Sequence, residues 1–330
     1  MLIYFNPDKS IFSEDIGSLA CHNRLFNAWR LHGVLAYVGE YKSSGVGDLI
    51  KQAPNRVRTL WEKKCKELKR LSSGVNSTEG EIGSNFPDYF GACKKYAVIL
   101  GEEGWESRGF CSSNNVEVVS ENKYFQRFCA VDIDGPFHAA SAAKARQITK
   151  DLPRDAVWQI WFADYVAIER HVKVYDQWCL KAYLESRCRF NSGLGFLLKK
   201  IAETNFHGRR TIEIYTTAEW GPSNRQKVSE EIAAEFQSFA NADLVGGSIG
   251  YIKVYFCLPG SWKQRMHQRY IRLGDRYWIR ADWGLEPFQL ERKEPHSSLV
   301  VGCYADEQAR AEEKRLREQI VFQEILVPVG

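Results

Sequence analysis

Apolar positions along the chain change period several times, and those changes predict its elements. Ser18 to Leu35 carries Leu19, Phe26, Trp29 and Leu31, the spacing of a part-buried helix. Gly45-Val46-Gly47-Asp48 reads as a turn, with no Lys-Ser/Thr after it to make a P-loop. A clearer helix begins at Pro54 or Asn55, with Val57, Leu60, Trp61, Leu68 and Leu71 on one stripe. Ser72 to Gly91 is rich in Ser, Gly, Asn and Glu and predicts a long loop. Tyr96 to Leu100 and Val116 to Val119 read as short strands, and Asn122 to Asp132 as a third apolar patch. Ser141 to Thr149 is Ala-rich and predicts a helix. Asp151-Leu152-Pro153-Arg154 breaks it and marks a domain boundary.

Beyond that break, Val157 to Phe162 is apolar on both faces, as a covered central strand is. Tyr175, Trp178, Cys179, Ala182 and Tyr183 fall at helical spacing, as do Leu194, Leu197, Leu198 and Ile201. Thr211 to Thr217 predicts a strand, Val228 to Phe239 a helix and Ile249 to Phe256 another strand. A hairpin follows, with Tyr270, Ile271 and Leu273 leading into a Gly274-Asp275 turn and Tyr277, Trp278 and Ile279 returning from it. Ser298 to Tyr304 is a last strand, and Asp306 to Leu326 a charged helix with Asp306/Arg310 and Glu313/Arg317 as pairs four apart. That helix could also meet a partner helix through Leu316, Ile320 and Phe322. The expected class is α/β. An N-terminal α+β domain of unassigned type spans 1–150, a βαβ domain with a mixed, largely parallel sheet spans 151–304, and a charged helix spans 305–330.

Composition bounds the function classes. The 330 residues are 44% hydrophobic, with 10 Trp, 15 Tyr and 18 Phe, enough for two cored domains. The net charge of +4 permits a phosphate-rich partner without requiring one. The nine Cys form no C-x-x-C pair, which speaks against a zinc knuckle and for small core residues in a reducing compartment. No signal peptide is apparent, and no apolar run approaches the ~20 residues of a membrane span. A cytoplasmic location is expected.

The hairpin concentrates the candidate chemistry. His267, Arg269, Arg272, Arg276 and Arg280 sit on or beside it, with Arg265 just before. Alternation puts Arg272 with Tyr270 on one face, and Arg269 with Ile271 on the other. Guanidinium grips phosphate bidentately, and imidazole attacks phosphorus or donates a proton. The nearby Trp262, Lys263, Tyr277 and Trp278 add rings to the cations, a mixture that suits nucleic acid or a membrane interface. The 51–71 helix offers a second basic face, with Lys63, Lys64 and Arg70 among its cations; such runs are more often solvated faces than binding surfaces. Asp132-x-Asp134 with His138 could ligate a divalent metal, but two turn-forming Asp before Gly135-Pro136 explain the same residues more cheaply. His171-x-Lys173 with Asp176 looks like a second phosphate motif, yet is better explained as the polar start of a helix. No metal and no cofactor are expected. Hydrolase-elbow, zincin and dinucleotide motifs do not occur.

A series of short motifs resembles a known family. Val166-Ala167-Ile168-Glu169-Arg170-His171-Val172 comes first, then Tyr175-x-Gln177, Thr211 to Thr217 and Gly250 to Phe256. His267-x-Arg269 and Trp283-Gly284-Leu285-Glu286-x-Phe288 complete the order. Together, over 155–304, they resemble the phospholipase-D-like domain at the C-terminus of MIT-domain proteins. The resemblance implies a phospholipase-D-like α/β fold in which His267 is nucleophile or acid and Arg269 stands where a phosphate-gripping Lys is usual. Asp275 would be the orienting carboxylate and Glu286 would close the motif. It also implies a homodimer, because a single motif makes half of a twofold site. A GSxN-like segment is not visible, and residues 1–150 do not read as the three-helix MIT hairpin. The expected function is phosphodiester recognition, in nucleic acid, by a nuclease or a degenerate binding relative, with antiviral defence as an associated role. The alternative is a non-catalytic module for an anionic membrane surface or a protein partner.

Overall fold

The computed structural model describes residues 2–12, 19–72, 95–110, 115–120, 122–142, 145–149, 151–204, 206, 208–217, 230, 233–238, 247–257, 269–275, 277–281, 284–290, 296–303, 307–318 and 320–328. The chain is α/β and divides into two compact units, Met1–Ala143 and Lys144–Gly330. The division falls ahead of the Asp151–Arg154 break. No helix among the described residues is long and apolar enough to cross a membrane. The loop expected over Ser72 to Gly91 lies outside the described residues apart from Ser72.

The first unit runs β1 (Ile3–Pro7), α1 (Leu19–His32), β2 (Gly33–Tyr37), α2 (Gly45–Gln52), α3 (Asn55–Glu67), β3 (Arg70–Ser72), β4 (Lys95–Leu100), α4 (Glu102–Ser107), β5 (Val116–Ser120), β6 (Lys123–Arg127) and α5 (Gly135–Ala142). Its sheet has the order β3-β2-β1-β4-β6-β5. Every pair is parallel except β5–β6. The apolar stripes of α1 and α3 meet the strands around Phe5, Phe26, Trp29, Leu35 and Trp61. At the centre, the Trp61 indole donates to His22 Nδ1 at 3.0 Å, and burial pushes the His22 pKa down to about 4. Gly45 to Asp48, expected as a turn, instead opens α2. The Ser44 side chain accepts from Gly47 N at 3.1 Å and caps the helix.

The second unit runs β7 (Ala145–Thr149), α6 (Arg154–Trp161), α7 (Ala163–Ile168), β8 (His171–Tyr175), α8 (Cys179–Glu185), α9 (Gly193–Glu203), β9 (Arg210–Thr217), β10 (Ile249–Cys257), β11 (Arg269–Leu273), β12 (Tyr277–Ala281), β13 (His296–Cys303), α10 (Glu307–Glu318) and β14 (Ile320–Pro328). The sheet order is β14-β10-β9-β8-β11-β12-β13-β7. Pairing is parallel through β10, β9 and β8, and antiparallel elsewhere. Val172, Val174, Ile212, Ile214, Ile252, Val254, Ile271 and Ile279 are all buried, and strand alternation puts the polar and tyrosine positions between them on the other face.

Four expectations fail here, each for a local reason. Val157 to Phe162 is not a strand: Pro153 starts α6, which buries Val157, Trp158 and Trp161 at helical spacing. Ala145 to Thr149 is not helical but a strand, because β13 supplies its backbone partners. Tyr175 ends β8 rather than starting a helix, and α8 begins at Cys179. The C-terminal helix stops at Glu318, where Ile320 to Pro328, rich in branched and aromatic residues, pairs with β10. Ile320 and Phe322 therefore belong to a strand, not to a helix surface.

Arg210 locks this unit from within. It is fully buried and donates to the carbonyls of Glu169 (3.1 Å), Val166 (2.8 Å) and Thr204 (2.9 Å). Burial lowers its pKa to about 10, still high enough to keep the charge at neutral pH.

Candidate functional site

The hairpin forms over the expected strands, but Leu273 pairs with Tyr277, so three positions separate them where Gly274-Asp275 was expected to be the whole turn. Leu273 faces Tyr277 across a turn in which Gly274 has φ +58°, the left-handed region. A side chain at 274 would strike the Glu169 carboxylate, and Gly274 N donates to His171 O at 2.7 Å. Arg272 reaches back to Asp275 at 2.9 Å, so that carboxylate serves Arg272.

Register gathers a second set of residues around the hairpin. Lys253, Glu213, Lys173 and Arg272 are lateral neighbours on β10, β9, β8 and β11. Two residues along each strand lies a row of tyrosines, Tyr255, Tyr215, Tyr175 and Tyr270, with Arg280 of β12 next. Adjacent rings stack at centroid distances of 4.7, 4.5 and 4.3 Å. Ring faces are used up against one another, so this row is not a flat platform for bases. Lys173 pairs with Glu213 at 3.1 Å, and the Tyr215 hydroxyl donates to Glu213 at 2.8 Å. Burial, then the neighbouring hydroxyls of Tyr270 and Tyr215, hold Tyr175 far above the usual phenol range.

The C-terminal helix closes over this face. Glu313 of α10 is buried and meets Arg272, with Lys173 at 3.6 Å and Arg317 at 3.1 Å. One turn further, Arg317 lies close enough to the Tyr215 hydroxyl for the two to influence each other's charge. Carboxylate and cations thus satisfy each other in a partly dry setting, where charge-assisted bonds are strong.

Arg269 has a different environment. Its Nε lies 3.6 Å from Asp176 Oδ1, at the carboxyl end of β8. Asp176 also accepts from Trp178 N (2.9 Å) and Leu285 N (3.0 Å). Gly284, at φ +60°, permits this approach: a Cβ there would lie 2.0 Å from Asp176 Oδ2. Glu286 follows in a buried single turn, Glu286–Phe288. The Cys179 thiol beneath is raised well above its ordinary value by burial, so it is no nucleophile at neutral pH.

Of the expected site residues, the structure describes Arg269, Arg272, Asp275, Arg280 and Glu286 in this unit; Arg265, His267 and Arg276 lie outside the described residues. Lys63, Lys64 and Arg70 belong to the first unit. There Lys63 is exposed, Lys64 pairs with Glu67 at 2.9 Å, and Arg70 covers the Tyr41 ring at 4.5 Å. His171-x-Lys173 is a strand segment, not a helix start, and Lys173 is central to the face. Asp134 caps Gly135 N at 2.6 Å and the His138 ring meets the Asp132 carbonyl, a turn arrangement.

Glu213 is not singled out from sequence, Lys173 is set aside with an expected helix start, and Glu313 reads only as a helix-surface partner of Arg317. Their signal is a repeated triplet: Lys173-Val174-Tyr175, Glu213-Ile214-Tyr215 and Lys253-Val254-Tyr255, mirrored by Tyr270-Ile271-Arg272 on an antiparallel strand. The first unit has a concave feature that was also missed. The strand order reverses between β1 and β4, and a cavity of about 650 Å³ opens at their carboxyl ends, lined by Asp8, Lys9, Ser10, Gln52, Glu103 and Arg108.

No family model and no curated protein matches the sequence. Among solved structures, NucT from Helicobacter pylori is similar over 56% of this chain and 98% of its own, at 14% identity and a TM-score of 0.29. A phosphatidylserine synthase from Haemophilus influenzae Rd KW20 matches over 56% of this chain and 40% of its own, at 12% identity and a TM-score of 0.29. TrmBL2, an archaeal chromatin protein, matches over 82% and 68%, at 8% identity and a TM-score of 0.25. Scores this low do not define the fold.

Proposed function

We propose that the second unit recognises phosphodiesters in nucleic acid, as a phospholipase-D-like nuclease or a binding relative of one. The observation that carries this is the register placing Lys253, Lys173 and Arg272 in one row, with Arg280 at the end of the next. Such a face is suited to a polyanion with regularly spaced charges. In this proposal Arg269 grips phosphate from the β11 edge, oriented by Asp176, while His267, two residues earlier, attacks phosphorus or protonates the leaving oxygen. Glu286, and Asp275 through Arg272, hold the surrounding cations in place. A chain with one such histidine completes the site by pairing with a second copy, and a homodimer is part of the proposal.

The test is a salt titration. Binding of labelled single- and double-stranded DNA and RNA is measured at several salt concentrations. The proposal expects log affinity to fall linearly with log salt, the slope reporting the phosphates neutralised. A protein that ignores all four at low salt refutes it and directs attention to anionic vesicles and protein partners.

A further inference from the structure

Between β13 and β14 in the chain, α10 lies across the middle of the cationic face. β14 lies at one edge of the sheet and β13 beyond β12, with β10, β9, β8, β11 and β12 between them. Six strand spacings amount to roughly 29 Å, and α10, as a 12-residue helix, supplies ~18 Å of that span. The contacts record the path: Glu313 sits over β11 and β8, and Arg317 over β9. Arg310, Ala311, Lys314, Arg317 and Glu318 are exposed, whereas Glu313 is 3% exposed. The strap therefore drives a carboxylate into the middle of the cations.

We propose that Glu313 is an internal stand-in for a phosphate, and that nucleic acid binds this face by displacing the strap and taking its donors. The inference rests on the nucleic-acid reading above. Carboxylate and phosphate accept from the same guanidinium and ammonium donors, so one anion exchanges for the other. Lys173 and Arg272 are then never left buried and unpaired, the condition that makes a broken ion pair costly. Glu213 and Asp275 remain on these cations in both states. Because the stand-in is tethered, it competes at a high local concentration and lowers the apparent affinity for the external anion.

The experiment compares wild type with Glu313→Gln and Glu313→Asp. Amide hydrogen exchange over 307–318 is followed alone, with a labelled single-stranded oligonucleotide, and with inorganic tripolyphosphate. Oligonucleotide affinity is measured at one fixed salt concentration. Glu313→Gln is expected to speed exchange in the strap and to tighten binding about tenfold. Glu313→Asp keeps the charge but falls one methylene short, giving a smaller gain, and it carries the test if the Gln variant melts. Wild type that binds while both variants bind no better overturns the inference and leaves the nucleic-acid reading standing. If no form binds DNA or RNA but tripolyphosphate speeds strap exchange in wild type, the anion exchange holds and the nucleic-acid reading falls. Strap exchange that responds to neither polyanion overturns the inference.

Discussion

Asp176 and Leu285 are 109 residues apart in sequence, yet Leu285 N donates to the Asp176 carboxylate at 3.0 Å. The same carboxylate caps Trp178 N and faces Arg269, so one side chain ties the end of β8 to the segment after β12 and to the candidate phosphate grip. Asp176→Ala removes two acceptor bonds at once, one buried and one part-buried, and is expected to cost about 3 kcal/mol by denaturant unfolding. Gly284→Ala forces a side chain at φ +60° against that carboxylate and is expected to cost about 2 kcal/mol. Because both act on one contact, the double variant should lose less than the sum. Strict additivity would show that the two residues do not share it.

Arg210 should tolerate neither neutral nor short replacements. Arg210→Leu leaves the carbonyls of Glu169, Val166 and Thr204 without their donor, and a loss of about 3–5 kcal/mol is expected. Arg210→Lys keeps the charge but cannot reach all three, and should recover only part of the loss. Equal stability of wild type and the Lys variant, in urea unfolding, would show that the fork geometry is not used.

The first unit should weaken in mild acid. Burial depresses the His22 pKa from 6.5 to about 4, so the unfolded chain takes up the proton first as pH falls. His22 therefore contributes its full stability above about pH 6.5 and loses it progressively towards pH 4, by about 3 kcal/mol. Protonation at Nδ1 would also abolish the bond from Trp61. Thermal unfolding of wild type and His22→Leu across this range should show a steeper pH slope in wild type; parallel slopes would contradict the assignment.

The tyrosine row should stay neutral until the second unit unfolds. Tyr175 and Tyr215 are both raised above the usual phenol range, burial being the largest cause for each. Ultraviolet difference titration of Tyr175→Phe should match wild type through the ordinary tyrosine transition and differ only at the alkaline unfolding step. A reversible difference near pH 10 would show that Tyr175 is open to solvent.

The hairpin's strands were legible because every local signal agreed: alternation, β-formers and Gly274-Asp275 within the turn. The helices over Leu194 to Ile201 and Val57 to Trp61 were legible through clean apolar stripes. Val157 to Phe162 misled because three aromatics in six residues blur the two periods, and only Pro153 marks a helix start. β7 was illegible for another reason: an edge strand takes its conformation from a partner about 150 residues away. The cationic face was half legible. Its arginines stood out on the hairpin, but Lys173, Glu213 and Glu313 join them only through lateral register and the crossing of α10.

Cleavage and binding of labelled single- and double-stranded DNA and RNA, with wild type beside His267→Ala and Arg269→Ala, tests the central claim most directly. Phosphodiester recognition predicts binding weakened by Arg269→Ala in every case. If the protein is a nuclease, cleavage is lost in both variants at unchanged stability. If it is a reader, no form cleaves. Absence of binding and of cleavage with all four nucleic acids would contradict the account and leave the hairpin arginines a structural feature of the sheet.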